Sequence, residues 1–194
     1  MSLKKLQKNY NNYLLKVLPI SSYYFNLDEL SLNVSHQKLI PVMTFLKYHT
    51  NCQFKLLSDM TAVDYPSRKD RFDVIYNLLS IRFNTRIRIK VIINEFQSLE
   101  SITSIYSSAN WYERETWDMF GIFFINHPDL RRILTDYGFE GYPLRKDFPL
   151  SGYIEVRYNE AKKRVVYEKL MLPQEFRLFT FETPWDKNFK NTIQ

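Results

Sequence analysis

Apolar residues recur at helical spacing from the start of the chain: Leu3, Leu6, Tyr10, Tyr13, Leu14 and Val17. Lys4, Lys5, Lys8 and Lys16 take the other face, and Pro19 stops the pattern. The spacing predicts a basic amphipathic helix within residues 1–25. Such a helix reads as a targeting segment, a membrane-surface helix, or a helix docked on this protein or a neighbour. The segment lacks arginine and is rich in Asn, which favours docking over targeting. Leu30, Leu32 and Val34 then alternate with polar residues, as in a half-buried strand. A helix is predicted over 37–50, with Leu39, Val42, Met43 and Leu46 on one face and Pro41 in the first turn, where its missing N–H costs nothing. Phe54 to Ser58 reads as a strand, Asp64-Tyr65-Pro66-Ser67 as a polar loop, and Phe72 to Arg82 as a long apolar strand. After an Asn84-Thr85 turn, Ile87, Ile89, Val91 and Ile93 alternate with Arg86, Arg88 and Lys90. Together these predict an α+β fold over 26–120, an antiparallel sheet with helices packed on one face. Ser101–Ser107 and Asn110–Phe120 read as two short helices, and Gly121 as the C′ residue of the second.

The habit of the chain changes at Gly121. The first 120 residues contain no glycine, and all four glycines fall between Gly121 and Gly152. Residues 121–194 also hold five of the eight prolines, and no steady period beyond a short pair near Tyr153–Tyr158 and Arg164–Tyr167. Aromatic residues crowd the same stretch, among them Phe123, Tyr137, Phe148, Phe176, Phe179, Phe181 and Trp185. Irregular backbone cannot satisfy its own polar groups, and aromatic side chains seek burial. Both needs are met if 121–194 is a long, mostly irregular tail that wraps a partner.

Composition narrows the function classes. With 194 residues and 45% hydrophobic content, the chain is long enough to bury a core. One cysteine, Cys52, and three histidines exclude an internal disulfide and a four-thiolate iron–sulfur cluster. The absence of glycine before residue 121 removes the Rossmann and Walker phosphate loops. The net charge of +6 permits nucleic acid, anionic lipid or an acidic protein as partner and selects none. Arg131-Arg132, Arg145-Lys146 and Lys162-Lys163-Arg164 resemble nucleic-acid patches. Residues 131–169, however, carry nine Lys/Arg and six Asp/Glu, a mixture that suits a protein surface better than phosphates.

Glu113, Arg114, Glu115 and Asp118 lie on one predicted helix, with Arg114 placed to reach Asp118 at i,i+4. No Glu-x-x-His accompanies them, so a di-metal site lacks half its ligands. An ion-paired structural helix, with some charges bridging to another subunit, is the stronger reading. His127 precedes Pro128 in a loop and reads as a hydrogen-bonding residue.

The run from Trp111 to Tyr158 carries Glu113-Arg114-Glu115, Asp118-Met119-Phe120, His127, Arg131 and Ile133-Leu134. Tyr142-Pro143-Leu144-Arg145-Lys146-Asp147-Phe148-Pro149-Leu150 and Glu155-Val156-Arg157-Tyr158 follow. On these motifs the chain, from Leu30 to Trp185, resembles the 30 kDa subunit family of respiratory complex I, NADH:ubiquinone oxidoreductase. His49-Thr50-Asn51 and Leu134-Thr135-Asp136-Tyr137-Gly138 read as in its mitochondrial form. The resemblance implies a non-catalytic core subunit of the peripheral arm, on the matrix side of the mitochondrial inner membrane, that clamps the large quinone-site subunit. Electrons would pass from NADH to ubiquinone through neighbouring subunits holding FMN and iron–sulfur clusters, coupled to proton pumping. This chain would hold no cofactor and bind no nucleic acid, and would meet the membrane only through the complex. The partner interface is expected to include Glu113, Arg114, Glu115, Asp118, His127, Arg131, Arg145, Lys146, Asp147, Arg157 and Trp185. Two alternatives are the corresponding subunit of a membrane-bound hydrogenase, whose pattern is looser over 113–157, and a basic RNA- or ribosome-binding module. The purified chain is expected to show no flavin or cluster absorbance and no stoichiometric iron by elemental analysis. Iron bound in proportion to protein contradicts this.

Overall fold

The computed structural model describes residues 3–26, 29–174, 176–177 and 179. Two compact units divide the chain, one ending at Phe148 and one beginning at Pro149. In the first, α1 (Leu3–Val17) precedes β1 (Ser22–Asn26) and β2 (Glu29–Asn33); after a short 3-10 turn come α2 (Leu39–Tyr48), β3 (Leu56–Asp64), β4 (Phe72–Ser80) and β5 (Thr85–Ile93). Then follow the two-residue β6 (Leu99–Glu100), α3 (Ala109–Phe120) and β7 (Phe124–Ile125).

The main sheet has five strands in the order β1-β2-β5-β4-β3. The expected all-antiparallel pairing requires one correction: β2 lies parallel to β5, so the sheet is mixed. The chain leaves β2, passes through α2, and enters the sheet again at the far edge as β3. The meander β3-β4-β5 then brings β5 back beside β2, running the same way. β1 pairs antiparallel with β2 and was not legible, because Tyr23, Tyr24 and Phe25 are apolar without alternation and all three are exposed.

The period-2 pattern sets the inner face. Cross-strand rows such as Leu32–Ile89–Tyr76–Met60 and Val91–Val74–Ala62 are all buried. The strand expected over Phe54–Ser58 instead runs Leu56–Asp64, with a register shift between Leu57 and Asp59. This bulge keeps both Leu57 and Met60 facing inward, three residues apart, and so breaks the period on which the reading relied. α2 buries Leu39, Val42, Met43 and Leu46 as its spacing predicts. Leu14 and Leu18 join the same core, so the amphipathic N-terminal helix docks on this chain.

One further expectation fails. Ser101–Ser107 forms turns, not a helix, while α3 forms close to its expected limits. The first compact unit continues past Phe120 to Phe148. Residues 126–153 nonetheless contain no helix or strand. Gly121 ends α3 at φ 77°, and a Cβ there would come within 2.7 Å of the Tyr142 ring and 2.8 Å of the Arg145 guanidinium. The glycine therefore serves both the left-handed cap and the close approach of the following loop.

Among the described residues of the second unit is an antiparallel hairpin, β8 (Ile154–Asn159) with β9 (Arg164–Lys169), near the expected pair. Phe181 and Trp185 lie outside the described residues.

Because Leu14 is fully buried, Leu14→Ala is expected to lower the unfolding free energy by about 2–5 kcal/mol. Urea denaturation of the full chain measures this; an unchanged midpoint means that α1 does not form part of the core.

Candidate functional site

α3 carries an inner face that its sequence alone would not suggest. Glu113, Arg114, Thr116 and Asp118 are buried there, alongside Ala109 and Phe120. A buried charge costs several kcal/mol unless hydrogen bonds replace its water. Here the replacement comes from loops that have unspent backbone donors.

Asp118 shows this most fully. Its Oδ2 accepts the N–H groups of Ile133 (3.1 Å), Leu134 (2.7 Å) and Thr135 (3.0 Å), and its Oδ1 accepts the Thr135 hydroxyl at 2.7 Å. The Arg132 guanidinium stands 3.5 Å away. Burial pushes the carboxyl upward, but these hydrogen bonds outweigh it and hold Asp118 below the ordinary carboxylate range. Glu113 is fully buried and accepts from Ser101 Oγ (2.6 Å) and Ile102 N–H (2.8 Å). With fewer donors, burial wins, and its carboxyl is pushed up to about 7.

A second cluster fastens the end of the irregular segment to the sheet. Asp64, at the inward end of β3, receives Arg71 Nε at 2.6 Å and Nη2 at 2.8 Å, together with the N–H of Lys146 at 2.8 Å. Arg71 also meets Asp147 at 2.9 Å and Glu95 at 3.6 Å. Arg145 pairs with Glu95, donates to the Phe120 carbonyl at 2.6 Å, and lies 4.6 Å from the Tyr142 ring centroid. Arg71 holds both Asp64 and Asp147 below the usual carboxylate range, chiefly by direct hydrogen bonds.

The expected interface residues therefore divide. Glu113 and Asp118 lie wholly inside the chain, as does the side chain of His127. Arg114 does not take Asp118 as its partner: its Nε donates to the Arg131 carbonyl at 3.2 Å, and its guanidinium lies 5.2 Å from the Trp111 ring. The i,i+4 pairing fails because the 133–135 backbone and Arg132 saturate Asp118. Arg145, Lys146 and Asp147 come together in the Asp64 cluster, with the Lys146 side chain itself exposed. Glu115 is exposed, and Arg131 is exposed and paired with Asp129. Arg157 pairs with Glu168 across the hairpin, and Trp185 falls outside the described residues. Asp64, Arg71, Glu95 and Ser101 were missed. Asp64 had a signal: past the bulge it follows Met60 and Ala62 on the inward side, where a carboxylate requires a partner.

Among the described residues, no three His, Cys, Asp or Glu side chains gather as metal ligands. Cys52 is buried and is the chain's one cysteine, so the donor set does not fit an iron–sulfur cluster. Glu113, Asp118 and Asp64 each accept backbone N–H groups of irregular segments.

Residues 32–154 match the family described as "Respiratory-chain NADH dehydrogenase, 30 Kd subunit". NADH-ubiquinone oxidoreductase subunit 9 of Reclinomonas americana is 54% identical over 182 residues, covering 93% of this chain and 89% of that one. The mitochondrial iron-sulfur protein 3 of NADH dehydrogenase (ubiquinone) from Candida albicans is 56% identical over 182 residues, covering 93% of this chain and 65% of its own. Among solved structures, a chain of an archaeal membrane-bound sulfane sulfur reductase, described as a respiratory membrane complex, matches with a TM-score of 0.64 and 26% identity. The match covers 75% of this chain and 86% of that one. No described helix is long and apolar enough to cross a membrane.

Asp118→Ala would leave three backbone N–H groups and a hydroxyl without their acceptor. At about 1–3 kcal/mol for each orphaned buried group, a loss of several kcal/mol is expected in urea denaturation. The folded-state pKa of Asp118 is depressed, so its stabilisation is present above the unfolded value near ~4 and lost as pH falls through the folded one. Asp118→Asn should therefore lose less stability between pH 6 and pH 3 than the wild type does. Equal losses mean that the carboxylate charge does not matter.

Proposed function

Because the chain belongs to the 30 kDa subunit family of respiratory-chain NADH dehydrogenase, we propose that it is a non-catalytic core subunit of the peripheral arm of complex I. It holds the large quinone-site subunit in shape on the matrix side of the mitochondrial inner membrane. Mitochondrial relatives and the match along nearly the whole chain support this placement. The task is mechanical. NADH is oxidised and ubiquinone reduced in neighbouring subunits that carry FMN and iron–sulfur clusters, and proton pumping follows in the membrane. This chain keeps the donor and quinone sites aligned and is needed for assembly.

The observation that carries the clamping role is the hairpin β8–β9. Ile154, Val156 and Tyr158 alternate along β8, and Val165 stands opposite Tyr158 in the register, so the four share one face. All four are exposed, while Arg157 and Glu168 pair on the other face. A two-stranded hairpin alone is marginal in water. An apolar stripe of this kind gains stability when a neighbouring surface covers it. The exposed Leu134 and Tyr137, the latter 98% accessible, offer similar anchors on the irregular segment of the first unit.

A related membrane-bound hydrogenase remains the second reading, favoured by the fold shared with the sulfane sulfur reductase chain. The much higher identity to ubiquinone oxidoreductase subunits weighs against it.

Val156→Asp with Val165→Asp places charge on the apolar stripe without touching the core of the first unit. The double variant is expected to keep the wild-type melting temperature, yet to copurify with the quinone-site subunit at least about tenfold less, about 1.4 kcal/mol. Undiminished copurification, or a collapsed melting transition, contradicts the clamp.

A further inference from the structure

Glu113 sits in a sealed cluster that the scaffold role does not by itself explain. Three elements converge on it. From the loop after β6 come Ser101 Oγ and the Ile102 N–H, and Ser101 Oγ also lies 2.8 Å from Thr103 Oγ1. From the loop after β7 comes His127, whose Nε2 is 3.9 Å from Glu113 Oε2, with both side chains fully buried. From β4 comes Tyr76, fully buried, with a hydroxyl that makes no hydrogen bond yet lies close enough to feel the charge of Glu113.

The hydrogen bonds fix the protons. His127 Nδ1 accepts the Asp129 N–H at 3.1 Å, so the ring proton is on Nε2 and points to the Asn110 carbonyl at 3.2 Å. The imidazole is thus neutral in this arrangement and supplies no counter-charge. The other titratable group facing the carboxyl is the neutral Tyr76 phenol. When Glu113 is protonated its O–H donates to Ser101 Oγ, and the Ser101 hydroxyl turns, keeping its proton, toward Thr103 Oγ1. An ionised Glu113 reverses that chain and draws the Ser101 hydroxyl back. The ionised form is then a full charge in a fully buried site with two donors, one unused tyrosine hydroxyl, and one imidazole N–H already engaged elsewhere.

We propose that Glu113, Ser101, His127 and Tyr76 form a proton-operated latch, which binds the segments 99–106 and 124–129 to α3 most tightly when the carboxyl carries its proton. The step is the loss of one proton from the Glu113 carboxyl to water; no other covalent bond changes. Burial sets the working range near neutrality, with the carboxyl pushed up to about 7. The sign follows: a raised folded-state pKa gives stabilisation that is complete below the unfolded value near ~4.3 and is lost as pH rises through about 7. The exposed Phe123 precedes the latched strand β7 and the exposed Ile125 ends it, so protonation of Glu113 tunes the order of a surface patch. The latch does not depend on which subunit the chain meets.

Hydrogen exchange of the full-length chain from pH 5 to pH 8, corrected for intrinsic rates, tests it. Protection of peptides spanning 99–106 and 124–129 is expected to fall with rising pH, by at most about tenfold per unit, and to level off above neutrality. Glu113→Gln, which keeps one acceptor and one donor at the same place, should flatten that profile. Tyr76→Phe removes a hydroxyl that makes no hydrogen bond and should leave the midpoint in place. A wild-type profile that is already flat, or an unchanged slope in Glu113→Gln, overturns the latch. If Glu113→Gln does not fold, carbon-13 labelling of the glutamate carboxyls in the wild type decides. One carboxyl titrating near neutrality supports the latch, and all titrating near ~4–5 refutes it.

Discussion

Buried carboxylates holding irregular backbone are the constraint on which this structure turns. Residues 126–153 form no helix or strand, yet those up to Phe148 group with the sheet in one compact unit. A chain without ladder hydrogen bonds must satisfy its N–H groups elsewhere. Asp118 takes three consecutive N–H groups, Asp64 takes that of Lys146, and Glu113 takes that of Ile102. Each carboxylate is placed by a regular element, α3 or β3, and projects its acceptors at a loop. Rigid elements thereby define the path of a segment that has no period of its own.

The charge balance of each site decides its character. Asp64 has a bidentate guanidinium and an amide, and Asp118 has four donors with Arg132 nearby, so both stay ionised below the usual carboxylate range. Glu113 has two donors, a neutral imidazole and an idle phenol, and its carboxyl moves toward neutrality instead. All three side chains are shielded from solvent, but Glu113 lies deepest and has the fewest donors, and the two together separate a permanent anion from a titrating group.

The chain belongs to the 30 kDa subunit family of respiratory-chain NADH dehydrogenase. The polar side chains that looked most like chemistry in the sequence are largely turned inward, where they support the fold. The hairpin exposes an apolar stripe on one face and the Arg157–Glu168 pair on the other.

Much of this was legible in the residue order. The alternation through β4 and β5 and the helical spacing of α2 fixed their inner faces, because a side chain's direction follows directly from period 2 or 3.6. The glycine boundary located the end of α3 and the start of the irregular segment, since a left-handed cap favours glycine. Motifs between Trp111 and Tyr158 pointed to the family. Tertiary structure decided the rest. The parallel β2–β5 pair depends on where the meander returns, and local periodicity carries no information about that. The bulge after Leu57 hid the true length of β3 and, with it, the inward place of Asp64. The Arg114–Asp118 pair expected from helical spacing gave way to contacts more than ten residues away. A buried carboxylate takes whichever donors the fold delivers, and spacing along one helix cannot show them.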